Sequence, residues 1–203
     1  MLIGELGRDS RDDWIFVGDL VGKGEASPDV LDRFIELGAR SAVGNHELNW
    51  LECRRSGDWS RLNPADREAA LGCNGDHWES LEKMVPWIEL PEIGMLVVHG
   101  GFLPSLPWRE QELPLVATIQ VVDESGRARM RKECPNGTPW GDLWDGPEFV
   151  AYGHTPRREA CHHPHAIGLD TGCVHGGMLT AMVLPERRLV KIPARRAYRS
   201  ANF

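Results

Sequence analysis

Trp14-Ile15-Phe16-Val17-Gly18-Asp19 is a short apolar run that stops at a glycine and a carboxylate. The same order of residue types returns in Ala42-Val43-Gly44-Asn45-His46-Glu47, in Val97-Val98-His99-Gly100-Gly101 and in Ala151-Tyr152-Gly153-His154. Short apolar runs bounded by turn residues read as buried strands, and in α/β sheets ligands gather beyond the carboxyl ends of strands. Segments far apart in the chain are thus expected to bring Asp19, Asn45, His99 and His154 to one crevice. Two imidazoles, an amide oxygen and a carboxylate form a mixed nitrogen and oxygen donor set. It suits manganese, iron or zinc better than calcium or magnesium, and an aspartate can bridge a second ion. Glycine beside each donor lets the backbone turn sharply and come close.

Working outward, further apolar runs at residues 41–43, 95–98, 116–122, 149–152, 179–184 and 189–192 predict strands. Ser27-Pro28 reads as an N-cap followed by proline at the first helical position, opening a helix over 29–37 that Gly38 closes. A second, weaker helical pattern covers 76–85. The early half alternates strand and helix. From Ala166 onward strands follow one another through tight turns, and 179–184 with 189–192 reads as a hairpin through Pro185-Glu186-Arg187-Arg188. The combination predicts an α/β fold with a pair of sheets, in a single domain over 1–203.

Composition narrows the function. With 203 residues, 41% hydrophobic and 26% charged, the chain has room for a core, and disordered, collagen-like and coiled-coil classes are excluded. A net charge of −7 with no strong basic concentration argues against general nucleic-acid binding, while a phosphate held by a metal or a few arginines stays open. The longest apolar runs fall far short of the roughly 20 residues of a membrane helix. Residues 1–13 lack the pattern of a secretory signal. Five cysteines, at 53, 73, 134, 161 and 173, are an odd number at irregular spacing, which predicts a reducing, cytoplasmic setting.

Gly18-Asp19-Leu20-Val21-Gly22-Lys23-Gly24, Gly44-Asn45-His46-Glu47, His99-Gly100-Gly101 and Tyr152-Gly153-His154-Thr155-Pro156 resemble successive motifs of the calcineurin-like metallophosphoesterases, within them the phosphoprotein phosphatase family. The stretch from Leu169-Asp170-Thr171-Gly172 through His175-Gly176-Gly177-Met178 resembles the ApaH-like branch, which contains diadenosine tetraphosphate hydrolases. The resemblance implies a four-layer sandwich of two mixed sheets flanked by helices, with motifs over 18–177 and a terminal hairpin over 179–192. It implies hydrolysis of phosphomonoester or phosphoanhydride bonds by metal-activated water. In that scheme Asp19 bridges two ions and Asn45, His99 and His154 hold the second, while His46 is the general acid. Lys23 stands where an arginine is common, keeping the charge without the bidentate fork. Gly22 stands where protein phosphatases carry an aspartate, which points away from a typical protein phosphatase. Arg131 is a second candidate phosphate clamp, with a solvated charge run over Arg127, Arg129, Arg131 and Lys132 as the other reading. Diadenosine polyphosphates, polyphosphate, capped RNA and phosphoproteins all stay open as substrates.

The family's opening Asp-x-His-Gly, which supplies the first ion's own ligands, is absent from the sequence. Residues 2–7 read instead as the tail of a crossover helix, so the chain is expected to begin after the first strand, N-terminally truncated, with one ion or none. The alternative is a catalytically inactive protein that binds metal or a partner only. Cys161-His162-His163-Pro164-His165, with Cys173 and His175 downstream, fits no standard zinc spacing and reads as a surface loop. Trp140 and Trp144 are expected in the core or the cleft wall; Trp50, Trp59 and Trp78 are expected to pack, with base stacking as the other use.

Overall fold

The computed structural model describes residues 13–200, so the helix tail expected at 2–7 lies outside the described residues. β1 (Ile15–Phe16) runs parallel to β2 (Arg40–Ser41), and α1 (Ser27–Glu36) is the crossover between them. Leu31 and Phe34 turn inward one helical step apart, and Gly38, at φ +58°, ends the turn that follows. The helix begins at Ser27, two residues before the expected 29–37 span, with Ala26 at the N-cap. Ser27 is not the cap because its hydroxyl accepts the Gly22 N–H at 3.1 Å, pinning the loop ahead of the helix.

Two helices follow that the apolar pattern does not announce, α2 (Asn45–Ser56) and α3 (Pro64–Leu71). α3 carries a legible start, since Asn63 accepts the Asp66 N–H at 3.1 Å ahead of Pro64. α4 (Gly75–Glu82) starts one residue before the 76–85 reading and stops three residues short of its end, capped by Asn74 on the His77 N–H at 3.0 Å. The helices close over a core of Val21, Leu31, Trp50, Cys53, Trp78 and Leu81. Trp78 meets Trp50 and Trp59 at ring-centroid distances of 6.3 and 6.1 Å, so these indoles pack on each other.

The chain then forms β3 (Trp87–Leu90), β4 (Met95–Val98), α5 (Leu113–Val116), β5 (Val121–Val122), β6 (Ala128–Arg129), β7 (Thr138–Pro139) and α6 (Trp140–Leu143). The single strand expected over 116–122 is divided. Val116 closes α5, and its carbonyl accepts the Gly100 and Gly101 N–H groups at 2.8 and 3.0 Å, which removes it from any ladder. Last come β8 (Phe149–Tyr152), β9 (Cys161–His162), β10 (Ala166–Gly168), β11 (Met178–Val183) and β12 (Arg188–Pro193). The segment read as a surface loop at 161–165 is therefore an edge strand and its turn, because Ile167 and Gly168 pair with His162 and Cys161.

The principal sheet has the order β3-β4-β8-β10-β9, parallel at its centre and antiparallel at both edges. β4 alternates with period two: Leu96 and Val98 face Phe102, Trp108, Trp140, Trp144 and Val150, whereas Met95 and Val97 face Ile88, Ala151 and Ile167. The β11–β12 hairpin covers the second face with Met182 and Leu189. Both faces are thus buried, as parallel strands require. The fold is mixed α/β as expected, with hydrogen bonding distributed over one five-stranded sheet and three smaller sheets. Among the described residues no helix is long and apolar enough to cross a membrane.

Trp140 and Trp144 belong to the core, at 1% and 5% exposure. The Trp140 indole N–H donates to the Gly100 carbonyl at 2.9 Å, and its ring packs against Gly101. A Cβ at position 101 would fall 2.1 Å from Trp140 Cε2, at a backbone φ of +145°. Gly101→Ala is therefore expected to cost about 2–3 kcal/mol and to lower the thermal midpoint by roughly 5–10 °C in calorimetry.

Candidate metal centre

After β1 the backbone turns through Gly18 and Asp19, both at positive φ (+85° and +57°). A Cβ at Gly18 would lie 2.8 Å from both the Gly44 nitrogen and His99 Nδ1, so glycine alone lets this turn rest against its neighbours. Asp19 Oδ1 sits 3.2 Å from His99 Nε2 and accepts the His46 N–H at 3.2 Å. His99 Nε2 also faces Asn45 Oδ1 at 3.1 Å. The His99 and His154 rings are 5.0 Å apart, and ligand atoms of Asp19, His99 and His154 all lie within 4.8 Å of one another. The structure thus brings Asp19, Asn45, His99 and His154 together.

Hydrogen bonding fixes what these side chains present. His99 Nδ1 lies 2.7 Å from the Val17 carbonyl and His154 Nε2 lies 3.1 Å from that of Thr118. A carbonyl only accepts, so each of those nitrogens carries and donates a proton, and the opposite nitrogen of the neutral ring keeps its lone pair. His99 Nε2 then confronts two further acceptors, the oxygens of Asp19 and Asn45. Three converging acceptors repel unless they share a proton or a cation, so the donor set fits a divalent ion. A carbonyl behind each imidazole is the usual support of a metal-ligating histidine. Burial pushes His154 down to about 4, which keeps it neutral and competent as a ligand near pH 7. Burial opposes ionisation of Asp19, but His99, His46, His154 and Lys23 outweigh it and hold the carboxyl below its ordinary value.

Glu47 is the residue here to which the sequence reading gives no role. It is fully buried, and its Oε2 accepts the N–H groups of Asp19 and Gly44 at 2.9 and 2.8 Å while Oε1 accepts that of Val21 at 3.1 Å. One carboxylate therefore ties the turn after β1 to the start of α2. Burial and the Asp19 charge push its pKa up, and the backbone donors pull it back. The signal was a glutamate three residues after a glycine that precedes a helix, the spacing of a capping box.

His46 is the second residue of α2, with Nε2 3.9 Å from Asp19 Oδ2. Its Nδ1 lies over Gly22, where a Cβ would be only 2.5 Å away. The ring fills the place an aspartate would take, so nearby negative charge comes from Asp19 and, more weakly, from Asp66. Burial pushes His46 below its ordinary value and Asp19 opposes that shift. Lys23, at φ +57°, lines the same cleft, and its N–H donates at 3.0 Å to Asp66 of α3, a buried carboxylate on a helix the sequence reading does not foresee. Arg131 is not among the residues lining the cleft. Its N–H donates to Gln120 Oε1 at 2.8 Å, and its guanidinium is pushed down by burial and by the charge of Arg157. Asp170, quoted above only within a motif, does line the cleft, and burial pushes its carboxyl up. The cleft encloses about 220 Å³.

Comparison with known proteins follows the same line. The profile of the calcineurin-like phosphoesterase family matches residues 1–169. The asymmetrical bis(5′-nucleosyl)-tetraphosphatase PrpE of Halalkalibacterium halodurans is 41% identical over 152 residues, which are 71% of this chain and 58% of that protein. The PrpE of Anoxybacillus flavithermus is 37% identical over 210 residues, 93% of this chain and 82% of that one. Among solved structures, that of a proposed diadenosine tetraphosphatase superposes with a TM-score of 0.84 at 30% identity, covering 95% of this chain and 86% of that one.

Proposed function

Because this chain belongs to the calcineurin-like phosphoesterase family, we propose that it is a metal-dependent, ApaH-like phosphohydrolase that cleaves a phosphoanhydride bond of dinucleoside polyphosphates. The observation carrying this reading is the convergence of Asp19, His99 and His154 in a cleft that also presents His46 and Lys23. Asp19, Asn45, His99 and His154 would hold a divalent ion. When bound, such an ion supplies a Lewis acid for a phosphoryl oxygen and lowers the pKa of water. The chain's own side chains do the rest. Lys23 offsets charge on the phosphoryl oxygens as a single ammonium. His46 holds a proton on its ring at the cleft wall and gives it to the departing oxygen. A volume of about 220 Å³ is below the roughly 300–1,000 Å³ of pockets that enclose a whole ligand, so the nucleosides are expected to extend outside it. The five cysteines, all unpaired, fit a cytoplasmic setting.

Diadenosine tetraphosphate incubated with the chain and Mn²⁺ is expected to yield ATP and AMP, the asymmetrical split, in ion-exchange chromatography. Elemental analysis is expected to find a single ion per chain, lost in His99→Ala. A second reading is a cation-binding protein without turnover, which the convergence of ligand atoms on one site among the described residues favours. A bound ion with intact substrate selects that second reading, and neither ion nor turnover overturns both.

A further inference from the structure

Outside this cleft, the segment around Cys161 assembles a different chemistry. Cys161 of β9 pairs across the ladder with Gly168 of β10, which pairs in turn with Tyr152 of β8, so the three stand side by side on one face of the sheet. Because position 168 has no side chain, the Tyr152 ring lies over it; a Cβ there would be 2.8 Å from Cζ and 2.9 Å from the hydroxyl oxygen. That brings the Tyr152 hydroxyl to 2.8 Å from His163 Nε2, while His163 Nδ1 lies 2.6 Å from Asp142 Oδ1. A second glycine makes the approach possible: the His163 ring edge packs on Gly141, where a Cβ would be 2.6 Å from Cδ2. His163 is two residues beyond Cys161, and its Nε2, 2.8 Å from the Tyr152 hydroxyl, stands with that hydroxyl next to the Cys161 side chain, near enough for both to act on the sulfur. Cys161 is only partly buried.

The surrounding charges agree with this geometry. The His163 hydrogen bond is the leading cause that holds the Cys161 thiol below its ordinary range, with Arg157 adding positive charge. Burial disfavours the His163 cation, but its bonds to Cys161 and Asp142 outweigh burial and raise it. Arg131, read above as a phosphate clamp, belongs to this neighbourhood and adds further positive charge. None of Cys161, His163 and Asp142 lines the cleft, and among the described residues the metal-competent trio lies elsewhere.

We propose that Cys161 is a nucleophilic thiol activated by a His163–Asp142 pair, a site of reversible oxidation whose co-reactant is a hydroperoxide. His163 takes the thiol proton, and Asp142 orients the ring and offsets the imidazolium charge, the arrangement by which a base activates a nucleophile. The sulfur attacks the nearer peroxide oxygen; an S–O bond forms and the O–O bond breaks. The sulfur is oxidised by two electrons to a sulfenic acid, and the departing oxygen takes the proton from His163 and leaves as water or an alcohol. A thiol reductant reverses the step.

The test is alkylation of the native full chain with iodoacetamide at pH 7, mapped by peptide mass spectrometry. Cys161 is expected to react about tenfold faster than Cys134, the gain open to a thiol with a lowered pKa. Asp142→Asn changes an exposed position, so its thermal midpoint should match the parent while Cys161 alkylation slows about threefold or more and its pH midpoint rises. Hydrogen peroxide followed by dimedone should place the sulfenic adduct on Cys161 first. Equal alkylation of Cys161 and Cys134 in the unmutated chain overturns the proposal, and so does a dimedone adduct that forms on Cys134 as fast as on Cys161.

Discussion

Replacing His46 by alanine is expected to lower turnover of phenyl phosphate in Mn²⁺ by about 10²- to 10⁴-fold, the range of a lost general acid. The ring touches the cleft without belonging to the trio whose ligand atoms converge, so the ion should stay in place. Alanine also suits the first turn of α2, so the fold should survive. The substrate makes the test specific. Phenol, like the tyrosine side chain, has a pKa of about 10 and needs its oxygen protonated as it leaves. p-Nitrophenolate is a far better leaving group, and with p-nitrophenyl phosphate the loss should be much smaller. Equal losses on the two esters would make His46 a positioning residue, and unchanged turnover on both would remove it from the chemistry.

Glu47→Ala should produce the largest loss of stability, about 3–5 kcal/mol, or roughly 10 °C in thermal midpoint. Three backbone N–H groups, those of Asp19, Val21 and Gly44, give their hydrogen bonds to this one buried carboxylate. Each would be left wanting an acceptor where water scarcely reaches, and an orphaned buried donor costs about 1–3 kcal/mol. The site should suffer beyond its stability, since Asp19 reaches His99 only while its own backbone is held. Isothermal titration with Mn²⁺ at a temperature where the variant is still folded is expected to show ion binding weakened at least tenfold. Full Mn²⁺ affinity in a destabilised variant would confine Glu47 to the fold.

The strand ends were legible because glycine and a donor residue close each apolar run, a signal that survives in a single sequence. α2 was hidden for two reasons. Its first turn, Asn45-His46-Glu47, reads as ligand chemistry, and one of its inward residues is a glutamate, which no apolar periodicity counts. Asn63-Pro64 did announce α3, but with short apolar content behind it the segment passes for a loop. The division of 116–122 depends on the Val116 carbonyl being taken by Gly100 and Gly101, a contact between segments that a local pattern cannot hold. Arg131 shows the same limit in the other direction: its residue type suits phosphate, and the fold places it beside Arg157 and Cys161 instead.

Among the described residues, four that are not glycine adopt a left-handed backbone, and three of them, Asp19, Lys23 and His154, line the cleft, the fourth being Arg187 in the terminal hairpin. Each such residue carries roughly 1–2 kcal/mol of steric cost that glycine would relieve. A laboratory population selected only for survival of heating should therefore drift toward glycine at 23 and 154, gaining robustness as it forfeits the ammonium and the imidazole. Sequences retaining lysine and histidine there after many rounds would show that the culture still demanded chemistry of the protein, making these two codons a record of selective pressure.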